Sequence, residues 1–156
     1  MATKYDTDFY GWTQEQSAKL RTLLAERSNL DLDMENIAEE IESLGRSDYR
    51  QLVSRLDEIC IHLLKLHFST ILDCERVWKN SVRGQRTRIA KLLRESPSLK
   101  PRLNEALIDG YDDALRHFSE DKLIELVMPD HLPGSSPFDI DACLSEEWWP
   151  EMRGRS

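Results

Sequence analysis

Six charged or titratable side chains fall inside or beside the apolar faces of predicted helices, and these groups are the best placed in the chain for chemistry. Carboxylate, imidazole and ammonium groups can exchange protons with a substrate, whereas guanidinium and carboxylate groups suit the binding of charged ligands. The candidate catalytic residues are Glu40, His62 and Lys65, and the candidate binding residues are Arg86, Arg55 and Glu58.

Arg86 is the most informative member of this set, because it falls between Val82 and Ile89 inside an apolar arc. A charge left unpaired in a protein core costs roughly 3–5 kcal/mol, so a buried arginine needs a partner. Glu40 borders the apolar stripe of another predicted helix, and we predict an ion pair between the two residues. In this interpretation, which we favour, the remaining polar groups form a solvated charge ladder. The alternative is a polar pocket between helices, in which Glu40 and His62 act as acid and base.

The motifs that usually accompany a metal, a cofactor or a nucleophile are missing from the sequence. Glu58 and His62 share a helix face, but they supply only two ligands, and the Glu-x-x-His motif of di-iron bundles is absent. There is no Cys-x-x-Cys pair, no Gly-x-Ser-x-Gly elbow and no glycine-rich phosphate loop. We therefore predict no metal site and no cofactor, and we favour a protein that is not an enzyme.

Apolar residues recur every three or four positions along most of the chain, which is the period of α-helices. The strongest pattern is a seam of alternating steps from Tyr49 to Thr70, typical of the central helix of a bundle. Four further helices are predicted around it. Their apolar stripes comprise Leu20, Leu23 and Leu24; Met34, Ile37, Ile41 and Leu44; Trp78, Val82, Ile89, Leu92 and Leu93; and Leu99, Leu103, Leu107, Tyr111, Ala114 and Phe118.

Local signals predict where these helices begin and end. Thr13 with Gln16 resembles a capping box, so the aromatic stretch from Tyr5 to Trp12 is predicted to precede the first helix. Gly45 is predicted to end the second helix, and Ser47 or Asp48 to open the third. Ser98 is predicted to cap the fifth. A short helix is expected at 120–127, then a loop at 128–138, and a last turn or two at 139–147.

These elements predict an all-α protein, an antiparallel bundle of about five main helices with a short irregular C-terminal tail. The whole chain, 1–156, is predicted to be one domain, with its core at about 5–127 and a loop and short helix at 128–150. A chain of this length can bury a sufficient core without metals or disulfides.

The charges of the chain are unevenly distributed. The segment 76–102 carries nine lysines and arginines against one acid, a charge of +8, which leaves −16 for the rest of a chain with net charge −8. We expect this segment to pair with the glutamates of the second predicted helix, which are Glu35, Glu39, Glu40 and Glu42. Nucleic-acid binding through 76–102 is the third-ranked function, because a pI near 5.0 and basic residues spread around the helix argue against it.

Sequence features also predict where the protein works. Residues 1–8 are polar and lack the apolar segment of a secretory signal, and no apolar run approaches the ~20 residues of a membrane span. The three cysteines are widely spaced, and Cys60 falls on an apolar helix face, where we expect a small buried hydrophobe. We predict a cytoplasmic protein that does not bind membranes.

Five stretches of the sequence occur in a characteristic order between about Tyr5 and Pro150. They are YDTDFYGW, LDMENIAEEIESLGRSDYRQL, HLLKLH, the W…R-x-x-QR stretch from Trp78 to Arg86, and SPSLK. In this order they resemble the bacterial family known as domain of unknown function 29. The resemblance implies a compact all-helical domain and no particular activity. Its pattern matches this chain at Asp31, Glu39, Glu40, Glu42, His62, Lys65 and Arg86, and His67 departs from it.

The predicted function is therefore a non-catalytic helical module that binds or regulates a protein partner through a charged or aromatic surface. A second copy of the chain is an open possibility as that partner. The alternative, from a different class, is an enzyme or a binder of small anions that uses a pocket around Glu40, His62, Lys65 and Arg86.

Overall fold

A computed structural model describes residues 1–26, 29, 31–71, 73–121 and 128–153. Within these ranges the chain forms helices and connecting segments and no β-strand, so the all-α prediction is confirmed. The helices are α1 (Lys4–Thr7), α2 (Phe9–Glu26), α3 (Met34–Phe68), α4 (Glu75–Glu95), a 3-10 helix (Pro97–Arg102), α5 (Leu103–Glu120) and α6 (Ile140–Leu144). In the described part of the chain, no helix is both long enough and apolar enough to cross a membrane.

The chain divides into two compact units. The first contains Met1–Gln51 and Lys91–Arg102, and the second contains Leu52–Ala90 and Leu103–Ser156. Each long helix, α3 and α4, therefore contributes residues to both units. The single domain expected from the sequence stays a prediction.

In the first unit the aromatic N-terminal stretch is helical, so the predicted start at Thr13 is wrong. α2 begins at Phe9, and the residue before it, Asp8, accepts a hydrogen bond from Gly11 N at 3.3 Å. A carboxylate in that position caps a helix by satisfying one of its free N–H groups. Thr13 lies inside the helix, where its hydroxyl donates to the Tyr10 carbonyl at 2.7 Å.

Gly45 does not end a helix, which corrects a second boundary. α3 runs without interruption from Met34 to Phe68, through Gly45 and the predicted start at Ser47 or Asp48. The chain contains no glycine with positive φ in its described part, so Gly45 lacks the conformation of a helix-ending glycine. A Cβ atom at Gly45 would collide with the Thr13 hydroxyl, and the glycine therefore serves the close approach of α2 to α3.

The connection after α4 is anchored to the start of α2. Ser98 does not cap a long α-helix as predicted, because it lies in the 3-10 helix that precedes α5. Its backbone N–H donates to the Asp8 carboxylate at 3.1 Å, and its hydroxyl also donates to Asp8. Ser96 accepts a hydrogen bond from Tyr10 N at 3.0 Å and donates to Asp48 at 3.0 Å. The stretches YDTDFYGW and SPSLK therefore hold each other in place.

The core of the second unit follows the predicted seam. Leu52, Leu56, Ile59, Leu63 and Leu66 are almost completely buried, whereas α3 ends at Phe68 and Thr70 is exposed. α5 approaches α3 closely at Gly110, where a Cβ atom would lie 2.9 Å from Asp57 N and 3.0 Å from Val53 O. Cys60 is fully buried, as expected.

The C-terminal segment of the second unit begins with an irregular stretch and ends in the short helix α6. Asp139 caps α6 by accepting a hydrogen bond from Ala142 N at 2.7 Å. The predicted loop after residue 128 and the last helical turn after Asp139 are confirmed. The short helix predicted at 120–127 falls mostly outside the described residues, and of that range α5 includes only Glu120.

Candidate functional site

Arg86 holds the C-terminal segment to α4 in the second unit. Its side chain is only 4% exposed, and its Nε donates to the Cys143 carbonyl at 2.8 Å. Nη2 donates to the carbonyls of Ala142 at 3.1 Å and Trp148 at 3.2 Å. Burial lowers the pKa of Arg86, but an arginine in proteins stays charged at neutral pH. The guanidinium group of Arg86 therefore joins both α6 and Trp148 of the C-terminal segment to α4.

Trp149 completes this attachment by packing against the cationic face of α4. The guanidinium carbons of Arg86 and Arg83 lie 4.7 and 5.1 Å from the centre of its ring, and Lys79 Nζ lies 5.3 Å away. These distances fall within the ~6 Å over which a ring attracts a cation.

These contacts correct the predicted partner of Arg86. The arginine is buried as predicted, yet backbone carbonyls, and not a carboxylate, accept its hydrogen bonds. Glu40 belongs to the first unit, where its side chain is exposed. The pair Arg86–Glu40 is therefore wrong, because the carbonyl oxygens of a bent C-terminal segment already satisfy most of the guanidinium group.

Arg55 lies on α3 and binds the residue that precedes Arg86. Its Nη1 donates to Gln85 Oε1 at 3.3 Å, and its Nε is buried without a partner among the described residues. The hydrogen bond ties α3 to α4 within the second unit. Arg55 was predicted as a binding residue, and the contact that the structure shows for it is internal.

His62 lies one to two turns further along α3, beside Glu58 and Lys65. Its Nε2 lies 3.5 Å from Glu58 Oε2, and its Nδ1 is buried with no partner in the described part of the chain. Burial, followed by the charge of Lys65, lowers the pKa of His62, whereas Glu58 raises it by a smaller amount. The imidazole is therefore held neutral at physiological pH. All four residues lie on α3, but Glu40 is in the part of the helix that belongs to the first unit, whereas Glu58, His62 and Lys65 are in the part that belongs to the second.

A second polar pair in this unit escaped the sequence analysis. The Asp57 carboxylate is buried, and its Oδ1 lies 3.2 Å from Nδ1 of His117 on α5. Burial raises the pKa of Asp57, and His117 opposes this by lowering it. A usable signal was present, because Asp57 lies between Val53 and Cys60 on an apolar face of α3.

A carboxylate and a histidine in contact can activate a nucleophile. Cys60 lies three residues from Asp57 on α3, and it is fully buried. Contact with Cys143 and burial together raise the pKa of the Cys60 thiol, which keeps it protonated and unreactive. Nor do any three histidine, cysteine or acidic side chains come together to hold a metal in the part of the chain that the structure describes.

Among the described residues, no ion pair links the basic segment 76–102 to the glutamates of α3 with which it was predicted to pair. Glu35, Glu39 and Glu42 instead form ion pairs with Arg21 of α2, and Arg46 binds Glu39 and Glu42. Among the basic residues of α4, the ion pairs found in the described residues are those of Lys79 with Glu75 and Lys91 with Glu95. The glutamates of the first unit pair with Arg21 and Arg46, which the sequence analysis did not consider as partners.

Comparisons with known proteins agree with the all-helical fold. Residues 4–149 match the family model described as domain of unknown function DUF29. An α-helical protein of unknown function from Rhodospirillum rubrum, with a crystal structure at 1.45 Å resolution, is 27% identical; the similarity covers 95% of this chain and 93% of that protein, with a TM-score of 0.69. No curated protein matches the chain. The chain belongs to the DUF29 family, a domain of unknown function.

Proposed function

We propose that this protein is a non-catalytic helical module that binds a protein partner through the first half of α3. The observation that carries the proposal is an apolar stripe that the described residues leave exposed to solvent. Ile37 is 39% exposed and Leu44 is 50% exposed, and the half-buried Ile41 lies between them. Their spacing of four and three residues places all three on one face of the helix.

This stripe continues the apolar face that packs inside the first unit. Met34 and Ala38 are buried, so the helix already uses one part of its apolar arc for folding. The remaining part faces solvent, where isolated leucines are common but an aligned set favours an interaction surface. Full burial of a leucine or isoleucine contributes about 1.5–3 kcal/mol, so a partner that covered the stripe would gain appreciable affinity.

The negative charge beside the stripe indicates the charge that a partner should carry. Asp33 and Glu40 flank it, both are exposed, and Glu40 has no ion pair in the described part of the chain. A helix with its own apolar stripe and flanking lysines or arginines would complement both features. The proposed partner is therefore a protein that presents a basic amphipathic helix.

The positions of the predicted binding and catalytic residues support a module without chemistry of its own. Arg86 and Arg55 make internal hydrogen bonds, and Glu40 lies in the other unit. The three free cysteines, two of them buried, suit a reducing compartment, and we extend the proposal to a cytoplasmic location.

Affinity capture with paired variants tests the proposal. Tagged protein would be expressed in its native bacterium as wild type, as the double variant Ile37→Asp/Leu44→Asp and as the control Val77→Asp. Val77 is 63% exposed, so its substitution places an aspartate at another apolar surface position, with one added negative charge against two in the double variant. Circular dichroism would first establish that all three proteins are folded.

We expect wild type and Val77→Asp to capture the same partner and the double variant to lose it. A synthetic peptide of the partner's basic helix should then bind the purified wild-type protein. The proposal fails if the double variant keeps everything that wild type captures, which includes the case in which wild type captures nothing above background.

A second candidate function rests on buried nitrogen atoms without partners. Arg55 Nε, His62 Nδ1 and Arg86 Nη1 are buried and have no hydrogen bond to any described residue. Buried guanidinium N–H groups without an acceptor, as at Arg55 and Arg86, are rare in folded proteins and favour a small anionic ligand such as phosphate. Isothermal titration with inorganic phosphate tests this alternative. It requires binding that Arg55→Met abolishes, and heats equal to those of dilution would exclude it.

A further inference from the structure

The second unit contains a cavity of about 290 Å³ between α5 and the C-terminal segment that follows Gly134. Its apolar wall includes Leu107, Tyr111 and Phe138, all of which are buried. Ile108 lies at its rim and is 64% exposed, although it is a large apolar side chain. The cavity is therefore a preformed, mostly apolar hollow that opens to solvent, as small-molecule sites usually are.

The charged residues that line this cavity are both acidic. Asp112 of α5 and Asp139, the residue before α6, are exposed at its edge, and the described residues that line it include no lysine, arginine or histidine. Asp139 caps α6 through Oδ1. Asp112 has no ion pair or hydrogen bond from its side chain in the described residues, so its negative charge is not compensated.

The aromatic wall adds to the preference for positive charge. Tyr111 and Phe138 present π-systems, and the face of an aromatic ring attracts a cation within about 6 Å. The Tyr111 hydroxyl already donates to the Pro133 carbonyl at 2.6 Å, so it does not offer its proton to an anionic ligand. The two carboxylates and the two aromatic rings thus all favour a positively charged ligand.

We infer that this cavity binds a small organic cation, an apolar group that carries an ammonium nitrogen. The apolar group would contact Leu107, Tyr111 and Phe138, and the ammonium would lie at the rim near Asp112. Since a water molecule occupies about 30 Å³ in the liquid, a 290 Å³ cavity suits a ligand of about ten non-hydrogen atoms. This site is separate from the stripe on α3 and does not depend on the proposed protein partner.

Three probes of nearly equal size and different charge test the inference. Uniformly ¹⁵N-labelled full-length protein would be titrated with 2-phenylethylamine, 2-phenylethanol and phenylacetate and followed by amide chemical shifts. We expect 2-phenylethylamine to shift the amides of residues 107–112 and 134–140 with the highest affinity. The neutral alcohol should bind more weakly, and the acid should bind least.

Substitution of the uncompensated aspartate tests the charge directly. Asp112→Asn keeps the side-chain shape and should weaken 2-phenylethylamine about five-fold, the equivalent of an ion pair near 1 kcal/mol, while leaving 2-phenylethanol unchanged. Glu120→Gln is the matched control, because it removes one exposed negative charge from the same helix outside the cavity. Amide spectra of both variants would show that they are folded.

Two results would overturn the inference. The first is an affinity for phenylacetate, measured from the amide shifts, that equals the affinity for 2-phenylethylamine. The cavity would then not select a positive charge. The second is an absence of saturable shifts at residues 107–112 and 134–140 with the amine at millimolar concentration.

Discussion

Replacing Arg86 with methionine should destabilise the second unit and loosen the C-terminal segment. Methionine has a similar length and fills the buried space, but it cannot donate to the carbonyls of Ala142, Cys143 and Trp148. It also cannot attract the Trp149 ring as a cation does. The substitution therefore removes the attachment and leaves little cavity.

The expected loss of stability follows from the number of hydrogen bonds that Arg86 donates. Hydrogen bonds to charged groups contribute about 1.5–3 kcal/mol each, so the three bonds of Arg86 contribute about 4.5 kcal/mol at the low end. Against this, methionine removes the buried Nη1, which has no partner among the described residues and costs about 1–3 kcal/mol. We expect a net loss of about 1.5–3.5 kcal/mol.

Arg83→Met is the matched control for this experiment. Arg83 lies 5.1 Å from the same Trp149 ring, but its hydrogen bond in the described structure is to Asn80, on its own helix. Urea denaturation would give the free energy of unfolding, and hydrogen exchange would follow the amides of residues 140–149. If Arg86→Met and Arg83→Met unfold at the same urea concentration and exchange at the same rates, Arg86 does not anchor the segment.

Three further predictions concern packing and pH. Leu63→Ala should cost about 2–5 kcal/mol in urea denaturation, because Leu63 is completely buried in the seam of α3, and an unchanged midpoint would contradict that position. Gly84→Ala should raise stability by about 0.5–1 kcal/mol, since outside its own stretch of helix no atom of the described residues lies within 4 Å of the added Cβ. Gly110→Ala should lower it by about 1–3 kcal/mol through contact with the α3 backbone. The test is that the two substitutions change stability in opposite directions, and thermal denaturation can measure both changes. Because burial lowers the pKa of His62, its contribution to stability should be complete above about pH 6.5 and decline as the pH falls through the lowered value. His62→Gln should reduce this acid sensitivity in denaturation at pH 5 and pH 7, and an equal loss in both proteins would refute the assignment.

The helices and the core were predictable from the sequence because they depend on local periodicity. The seam from Leu52 to Leu66 repeats every three or four residues, and each of its leucines and isoleucines is buried. Helix ends were less predictable, since Gly45 carries the usual signal of a helix end but is required by its contact with Thr13. That contact joins residues far apart in the sequence, and no local pattern indicates it.

The polar site was only partly predictable, for a related reason. Burial of Arg86 could be inferred from Val82 and Ile89, but its acceptors are backbone carbonyls, which every residue offers. A side-chain partner such as Glu40 is visible in a sequence, whereas a bent backbone is not. Asp8 is a similar case, because its partner Ser98 lies 90 residues away.

Site-specific photo-crosslinking from the apolar stripe is the most direct test of the proposed function. A benzophenone amino acid at position 44, incorporated in the native host cell, should form an adduct with a protein that carries a basic amphipathic helix. The same group at position 77, also an exposed apolar site, should not form that adduct. If position 44 gives no adduct, or if both positions give the same ones, the first half of α3 is not the docking surface that we propose.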